Sequence, residues 1–419
     1  MLEGAINKAG IRRFLLTLSS DYLTKIVAFS ALLLYSKSLS AENYNYLLLI
    51  ISSTVVAVSV LSMGVVSASF RLLAGETSKH KIDQRMVAAA IFSVLCTTFL
   101  YWSFQAFLNQ LELGDYAVFR EVSWAWYWVI LGETLSVIAK SMAYVRGKPV
   151  RVAAANFFAV LVFGVSLAYL FLLGNELTSA AYLNCVAITS IFRASFLVLS
   201  LKVRWAADVT AIPELINLRF SVAFMFHILG VWCLQHISSW IVFPVMDGAV
   251  MTSLLWANLI LSALLLIPEA MFKSSLGNIK HFFGEDKLSL SVFSVFFFRS
   301  FSLSFFLMVL VVLVINLIYE YGLSSISFEL GYVLYMASYL FLHTLYFLFQ
   351  KMLMGEGRSG VLIFGTYVSV AFLLVVFWVY DIYSIVLVMT SVLLAKTMQL
   401  FIMFFLWKRA SKQHIVTLT

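Results

Sequence analysis

The sequence has few of the residues on which several protein classes depend. Among 419 residues there are only 3 cysteines and 4 prolines, and 11% of the residues are charged. Cys96, Cys185 and Cys233 lie in apolar segments without metal-ligand spacing, so the sequence predicts neither a disulfide framework nor a zinc site. It also has no Gly-rich phosphate loop and no Ser/His/Asp grouping. The recognisable motifs of nucleotide-binding proteins and hydrolases are therefore missing.

Apolar residues are abundant instead. They make up 63% of the chain, whereas soluble proteins average roughly 45–50% apolar and ~25% charged residues. This composition predicts a polytopic membrane protein. The first residues, MLEGAINKAGIRR, lack the short apolar core and small-residue cleavage site of a signal peptide. We therefore expect the first membrane span to remain in the mature protein.

Twelve segments are long and apolar enough to cross a bilayer, since a transmembrane helix needs ~20 such residues. We number them spans 1 to 12, and they cover residues 14–35, 46–70, 86–107, 122–145, 152–173, 180–201, 220–243, 249–272, 290–316, 329–350, 361–380 and 385–406.

The distribution of Lys and Arg predicts the orientation, because cytoplasmic loops retain positive charge. With the N-terminus inside, the inner segments hold 21 of the 28 Lys and Arg residues. The outer loops hold two, Lys37 and Arg120. Both termini are therefore predicted to be cytoplasmic, and the net charge of +8 is explained without nucleic acid. The remaining five cations lie within spans: Lys25, Lys140, Arg193, Arg299 and Lys396.

The longest break without an apolar run divides the twelve spans into six and six. It covers residues 202–219, contains Pro213, and has a weak amphipathic pattern typical of a helix on the inner membrane surface. We predict an N-terminal lobe at 1–201, a cytoplasmic linker at 202–219, and a C-terminal lobe with a short tail at 220–419. The predicted fold class is all-α integral membrane, with twelve transmembrane helices in two six-helix lobes.

Span 1 has a polar stripe along one helix face, formed at spacings i, i+3, i+4, i+7 and i+8 by Thr17, Ser20, Asp21, Thr24 and Lys25. A charge at the bilayer centre costs roughly 2.5–3.5 kcal/mol, so this face should turn away from lipid. Two interpretations remain open: a stripe that faces a substrate, or a structural ion pair between Asp21 and Lys25.

Two further spans carry polar side chains along one face. In span 4 these are Glu133, Ser136 and Lys140. In span 8 they are Asn258, Ser262 and Glu269, which lie within ~40° of one another. Because Glu269 follows Pro268 near the inner end, it could simply reach interfacial water.

Span 7 contains two histidines that point in opposite directions in a regular α-helix. His227 shares a face with Gln235 and Ser239, while His236 points about 180° away. We therefore favour His227 as the histidine that faces a cavity. A histidine hydrogen-bonded between helices is the alternative.

The five cations within spans outnumber three acids, Asp21, Glu133 and Glu269. A water-filled cavity with this lining would suit an anionic head group, since Arg and Lys bind phosphate oxygens. Carboxylates in the same cavity could bind H⁺ or Na⁺ and so couple transport to an ion gradient. Arg299 and Lys396 could equally extend to a membrane interface.

Two short stretches resemble a known family. SKSLSAENYNY, residues 36–46, has Glu42 and Tyr44 where the family has an acidic residue and a tyrosine, although Asn45 replaces the usual glycine. SMGVVSASFRLLAG, residues 62–75, has Gly64 and Arg71 where the family commonly has a glycine and a basic residue, at the inner end of span 2. With the length and the six-plus-six layout, the chain resembles Wzx-type polysaccharide flippases of the multidrug/oligosaccharidyl-lipid/polysaccharide exporter superfamily.

This resemblance implies two lobes around a central cavity lined mainly by spans 1, 2, 7 and 8. The implied substrate is an undecaprenyl-pyrophosphate-linked oligosaccharide, such as an O-antigen repeat unit for lipopolysaccharide. It would move from the inner to the outer leaflet of the bacterial inner membrane by alternating access, without catalysis or a cofactor. The implied partners are this substrate, the lipid bilayer and other glycan-assembly membrane proteins. The predicted cavity residues are Asp21, Lys25, Glu133, Lys140, Arg193, His227, Gln235, Asn258, Arg299 and Lys396.

Two other functions remain open. A drug or small-solute exporter would have the same fold. A membrane enzyme of glycan assembly, such as a polymerase, is less well supported because no predicted outer loop exceeds about fifteen residues and such enzymes need a larger catalytic loop.

Overall fold

The described residues fold entirely into helices and their connections. The computed structural model describes residues 8–64, 78–110, 117–172, 178–203, 218–268, 271, 290–355, 359–380 and 384–416. The helices are α1 Lys8–Ser38, α2 Ala41–Leu61, α3 Lys79–Gln110, α4 Ala117–Val145, α5 Pro149–Leu172, α6 Ser179–Leu201, α7 Leu218–Trp232, a π-helix Cys233–Ile237, α8 Ser238–Val242, α9 Gly248–Leu264, α10 Leu290–Glu320, α11 Leu330–Gly355, α12 Ser359–Val379 and α13 Ile385–Val416.

These helices correspond to the predicted spans in order. Helices α1 to α6 overlap spans 1 to 6 in order. The α7–π–α8 segment overlaps span 7, and α9 to α13 overlap spans 8 to 12. Within the described residues, eleven helices are long and apolar enough to cross a membrane. Large apolar side chains are exposed on them, including Leu172 at 86% and Trp378 at 87%, as expected for surfaces that contact lipid. The prediction of an all-α, multi-pass membrane protein is confirmed.

The turn between α1 and α2 is fixed by hydrogen bonds within the SKSLSAENYNY stretch. The Ser40 hydroxyl accepts a hydrogen bond of 3.3 Å from the backbone N–H of Asn43, which caps α2. The buried Tyr44 hydroxyl donates to the carbonyl of Leu32 at 3.0 Å. These bonds hold the end of α1 against the first turn of α2.

The chain forms two compact units. The first comprises Ser19–Leu229, and the second comprises Gly230–Thr419 together with the chain up to Leu18. In the first unit, α4 packs closely along α6. Gly132 permits this approach, because a Cβ atom there would lie 3.0 Å from Ser190 Cβ and 3.1 Å from the backbone of Ile191. The side chain next to this glycine, Glu133, is therefore brought directly against α6.

The second unit is built around α11, α12 and α13, which contact one another. The π-helix Cys233–Ile237 also contacts α12 and α13. A π-turn holds one more residue than an α-turn and is common at functional sites. The rotation of 100° per residue that we assumed for span 7 therefore does not hold between His227 and His236. Both histidines are buried, each with 4% exposure.

Several sequence predictions concern residues outside those that the structure describes. They include Arg71, Glu269 and the central part of the predicted linker, residues 204–217. The side chains of Asp21 and Arg120 are also outside the described set. The predictions for these residues stay predictions.

Candidate functional site

An ionic cluster lies between α4 and α6 in the first unit. Arg193 Nη2 is 2.5 Å from Oε1 of Glu133, and Ser190 Oγ donates to the same oxygen at 2.5 Å. Arg193 Nε donates to Ser136 Oγ at 2.7 Å. Arg193 is only 5% exposed, whereas the side chain of Glu133 is 29% exposed. The pair is therefore buried on the arginine side and partly open on the carboxylate side.

Two lysines add positive charge to this cluster. Lys140 on α4 and Lys25 on α1 both act electrostatically on the Glu133 carboxylate, and both side chains are partly buried. The structure thus brings together charged residues from spans 1, 4 and 6. Among the described side chains of this cluster, three are basic and one is acidic.

This arrangement is suited to an anion. The guanidinium of Arg193 is bonded to Glu133 and Ser136, and Lys25 and Lys140 are the partly buried lysines of the cluster. Lysine ammonium groups are mobile donors that bind phosphate oxygens as point charges. A phosphate or diphosphate could therefore be held by the two lysines, while the Glu133–Arg193 pair holds the helices in place.

A second polar group joins the seams of spans 7 and 8 in the second unit. Gln235 Nε2 donates to the carbonyl of Asn258 at 3.2 Å and to Ser262 Oγ at 3.0 Å. Asn258 Nδ2 donates to Ser239 Oγ at 3.1 Å, and Tyr335 donates to Asn258 Oδ1 at 3.2 Å. These side chains are neutral and bonded to one another, so the network holds α9 against the π-helix, α8 and α11.

The remaining predicted cavity residues have different surroundings. His227 is buried on α7, and Arg299 is exposed on α10. Lys396 on α13 is fully buried, with 0% exposure. Its ammonium lies over the ring of Tyr346, 3.8 Å from the centroid. Lys396 is therefore enclosed by helices and does not extend to an interface, whereas Arg299 has an exposed side chain.

Sequence reasoning missed one ion pair. Asp83 on α3 and Arg146 at the end of α4 form a salt bridge with side-chain exposures of 1% and 7%. Arg146 Nη1 also donates to the carbonyl of Leu201 at 2.7 Å. From the sequence, Arg146 entered only as a cytoplasmic charge, and no spacing pattern connects it with Asp83. This pair joins the ends of three helices.

The described residues offer no conventional metal centre. No group of three or more His, Cys, Asp or Glu side chains among them could hold a metal ion. The three cysteines are free.

With this geometry established, the chain can be compared with known proteins. No protein-family model and no curated protein matches it. Solved structures do match along almost the whole chain. The eukaryotic MATE transporter AtDTX14 is 13% identical, with a TM-score of 0.68 over 98% of this chain and 97% of that one. The chain has the fold of MATE transporters.

Two other solved structures have this fold at similar identity. The MATE transporter ClbM, solved in complex with Rb⁺, is 14% identical with a TM-score of 0.63, and the match covers 95% of this chain and 94% of ClbM. The lipid II flippase MurJ in an inward closed conformation is 16% identical with a TM-score of 0.56, over 94% of this chain and 87% of MurJ. One fold thus occurs in MATE transporters and in a lipid II flippase, so the fold alone does not identify what a protein binds.

Proposed function

We propose that this protein is a flippase for undecaprenyl-pyrophosphate-linked oligosaccharides. The observation that carries this proposal is the ionic cluster of the first unit, in which Arg193 is bonded to Glu133 and both Lys25 and Lys140 act electrostatically on the same carboxylate. A site with excess positive charge inside a membrane protein favours an anionic substrate. A diphosphate linked to a lipid is negatively charged at the level of the head group.

The two lysines have the exposure that such a role requires. Lys25 and Lys140 are partly buried, so they can lose part of their hydration and still be reached by a substrate. Electrostatic attraction is stronger where water is partly excluded. The diphosphate would bind to these ammonium groups, and the variable sugars would make fewer specific contacts.

The proposed cellular setting follows from the charge distribution of the sequence. The excess of Lys and Arg on one side of the membrane places both termini in the cytoplasm. We place the protein in the bacterial inner membrane, where it moves an O-antigen or similar repeat unit to the outer leaflet. Transport proceeds by alternating access and draws energy from an ion gradient, and it breaks no bond.

Export of drugs or small solutes is the second candidate. Its support is the similarity to MATE transporters, whose TM-scores of 0.63 and 0.68 exceed the 0.56 of the lipid flippase. The ionic cluster favours the flippase, because three basic side chains and one acidic side chain among those described suit an anionic substrate better than the cationic compounds that many drug exporters carry. An exporter of anionic solutes would still be compatible with it.

Transport by the purified full-length protein in liposomes tests the proposal. The probes are a fluorescent undecaprenyl-pyrophosphate-linked oligosaccharide and, in parallel, the cationic dye ethidium. We expect translocation of the lipid-linked probe only, with at least tenfold loss in Lys140→Ala. The matched control is Lys148→Ala, which removes an exposed lysine just beyond the same helix. Ethidium transport without lipid translocation would instead establish the exporter.

A further inference from the structure

A second cation lies in the other unit, and its surroundings differ from those of the ionic cluster. Lys396 on α13 has 0% exposure. Its Nζ lies 3.8 Å from the centroid of the Tyr346 ring and 5.8 Å from that of Tyr339. Nζ forms no hydrogen bond within the described part of the chain. Contact with aromatic faces is thus its observed stabilisation as a cation.

No described acid is available to neutralise this lysine. In the second unit the described carboxylates are Asp247, Glu320 and Glu329, and all three are exposed. By contrast, Arg193 and the two lysines of the first unit lie around Glu133. A fully buried ammonium with no carboxylate beside it is costly, which allows the neutral amine to compete with it.

The titratable residues around Lys396 are neutral aromatic or thiol groups. From α11 these are Tyr339, His343 and Tyr346, whose rings contact one another in sequence. The elements that contact α13 also include α12, which carries Tyr367, and the π-helix, which carries Cys233 and His236. None of these groups carries a fixed negative charge opposite the ammonium.

Two other buried polar atoms near this lysine have no hydrogen-bond partner among the described residues. They are the hydroxyl of Tyr339 and Oε1 of Gln399, and both residues have 0% exposure. Gln399 is one helical turn from Lys396 on the same face of α13, and its Nε2 donates to Thr366 Oγ1 at 2.7 Å. Unsatisfied buried polar groups are rare in folded proteins and call for an explanation.

These two atoms match the two protonation states of a lysine. An ammonium is a donor only, and Oε1 of Gln399 is an acceptor. A neutral amine has a lone pair, and the hydroxyl of Tyr339 can donate to it. The neighbourhood of Lys396 thus contains one unbonded group of each kind, an acceptor and a possible donor, among the described residues.

We propose that Lys396 is a proton-binding site through which the C-terminal unit couples transport to a proton gradient. This inference rests on the proposed function, because it names the coupling ion of that transporter. Nζ gains one proton from water on one side of the membrane and returns it to water on the other. The change of charge at Nζ alters the packing between α11 and α13. The adjoining π-helix transmits this change in packing to α7.

The first test asks whether Lys396 titrates in the folded protein, independently of any substrate. Melting temperatures of the full-length protein in detergent are measured from pH 5 to pH 9 for wild type, Lys396→Met and Lys408→Met. Lys408 is an exposed lysine on the same helix and is the matched control. We expect the melting temperature of Lys396→Met, relative to that of wild type, to change with pH. The melting temperature of Lys408→Met should differ from that of wild type by the same amount at every pH. A difference for Lys396→Met that is constant with pH overturns the proposal.

The second test asks whether the proton moves during transport. Liposomes containing the protein and a trapped pH dye are given undecaprenyl pyrophosphate and a pH gradient. We expect substrate-dependent proton flux in wild type and Lys408→Met, with at least tenfold loss in Lys396→Met and in Lys396→Arg, which retains a charge but cannot release a proton. Undiminished flux in Lys396→Met overturns the proton site. Absence of flux in wild type, together with a pH-dependent melting difference, supports the proton site and contradicts the proposed substrate.

Discussion

Arg193 on α6 is held in two directions, because its Nη2 lies 2.5 Å from Glu133 and its Nε donates to Ser136 at 2.7 Å. Both acceptors are on α4, one helical turn apart. The guanidinium therefore bridges two helices at the point where Gly132 allows their closest approach. The pair has a structural role that can be separated from the charge of the neighbouring lysines.

This bridge predicts strong coupling between Glu133 and Arg193. Arg193→Ala should lower the free energy of unfolding by about 2–4 kcal/mol, somewhat less than the ~3–5 kcal/mol for a fully buried pair because Glu133 is partly exposed. Adding Glu133→Gln should restore part of the loss, since the carboxylate then no longer needs a counter-charge. Thermal melting in detergent of the two single variants and the double variant measures the coupling energy between Glu133 and Arg193. Additive losses would show that the pair does not stabilise the helix contact.

Lys25 is predicted to act in transport rather than in folding. Lys25→Ala should reduce glycan display on cells at least tenfold and leave the amount of protein in the membrane unchanged. The reason is that Lys25 is partly exposed and, in the proposed function, binds the diphosphate. Lys37→Ala is the control, because Lys37 is exposed near the end of the same helix. Equal loss of protein and of display would favour a structural role.

Exchange of Asp21 and Lys25 separates the two roles further. A purely structural ion pair at i, i+4 should tolerate Asp21→Lys combined with Lys25→Asp, because the pair is retained in reverse. A phosphate site should not tolerate it, because the cation moves one helical turn. We expect the double variant to be present in the membrane at the wild-type level and to lack glycan display. Normal display in this variant would show that the position of the ammonium is unimportant.

Sequence periodicity predicted which side chains share a helix face, but not which helices meet. Glu133 and Ser136 were placed on one face of span 4 by their spacing, and Arg193 contacts both. Nothing in the sequence paired span 4 with span 6, because that contact depends on the small size of Gly132 against a helix that is not adjacent in the chain. The same limit applies to Lys396, whose partners Tyr339 and Tyr346 lie on another helix.

The polar seam of span 7 shows a second limit. The positions of His227 and His236 were derived from regular α-helical rotation. The π-helix Cys233–Ile237 interrupts that rotation, and no proline lies within the span to indicate it. Gln235, which lies in the π-helix, is instead bonded to Asn258 and Ser262. Local hydrogen-bond geometry of this kind is set by packing against neighbouring helices, so periodicity alone does not predict it.

Asn258 is predicted to be important for stability. Asn258→Leu should lower the free energy of unfolding by about 1–3 kcal/mol, because Ser239 and Tyr335 lose their buried partner. The effect stays modest because hydrogen bonds within membranes contribute only ~0.6 kcal/mol on average. Thr397→Val serves as the control, since Thr397 is exposed and bonds only its own helix. Thermal melting in detergent measures both, and identical melting temperatures would contradict the observed network.

Gly230 is predicted to tolerate no side chain. A Cβ atom there would lie 2.7 Å from Thr366 Cγ2. Thr366 cannot easily rotate away, because its hydroxyl donates to Leu362 and accepts from Gln399, each at 2.7 Å. Gly230→Ala should therefore cost about 1–3 kcal/mol through overpacking. Thermal melting of the full-length protein in detergent measures this loss.

A second substitution and a control identify the cause of the loss at Gly230. Thr366→Ser removes the obstructing methyl group and keeps the hydroxyl, so Gly230→Ala combined with Thr366→Ser should regain most of the lost stability. Gly164→Ala is the matched control within a helix, because a Cβ atom at Gly164 meets nothing within 4 Å. This control should be neutral or stabilising by up to about 1 kcal/mol, since alanine has the higher helix propensity. Equal melting temperatures for Gly230→Ala and Gly164→Ala would mean that the π-helix end of α7 does not pack against α12 as the structure has it.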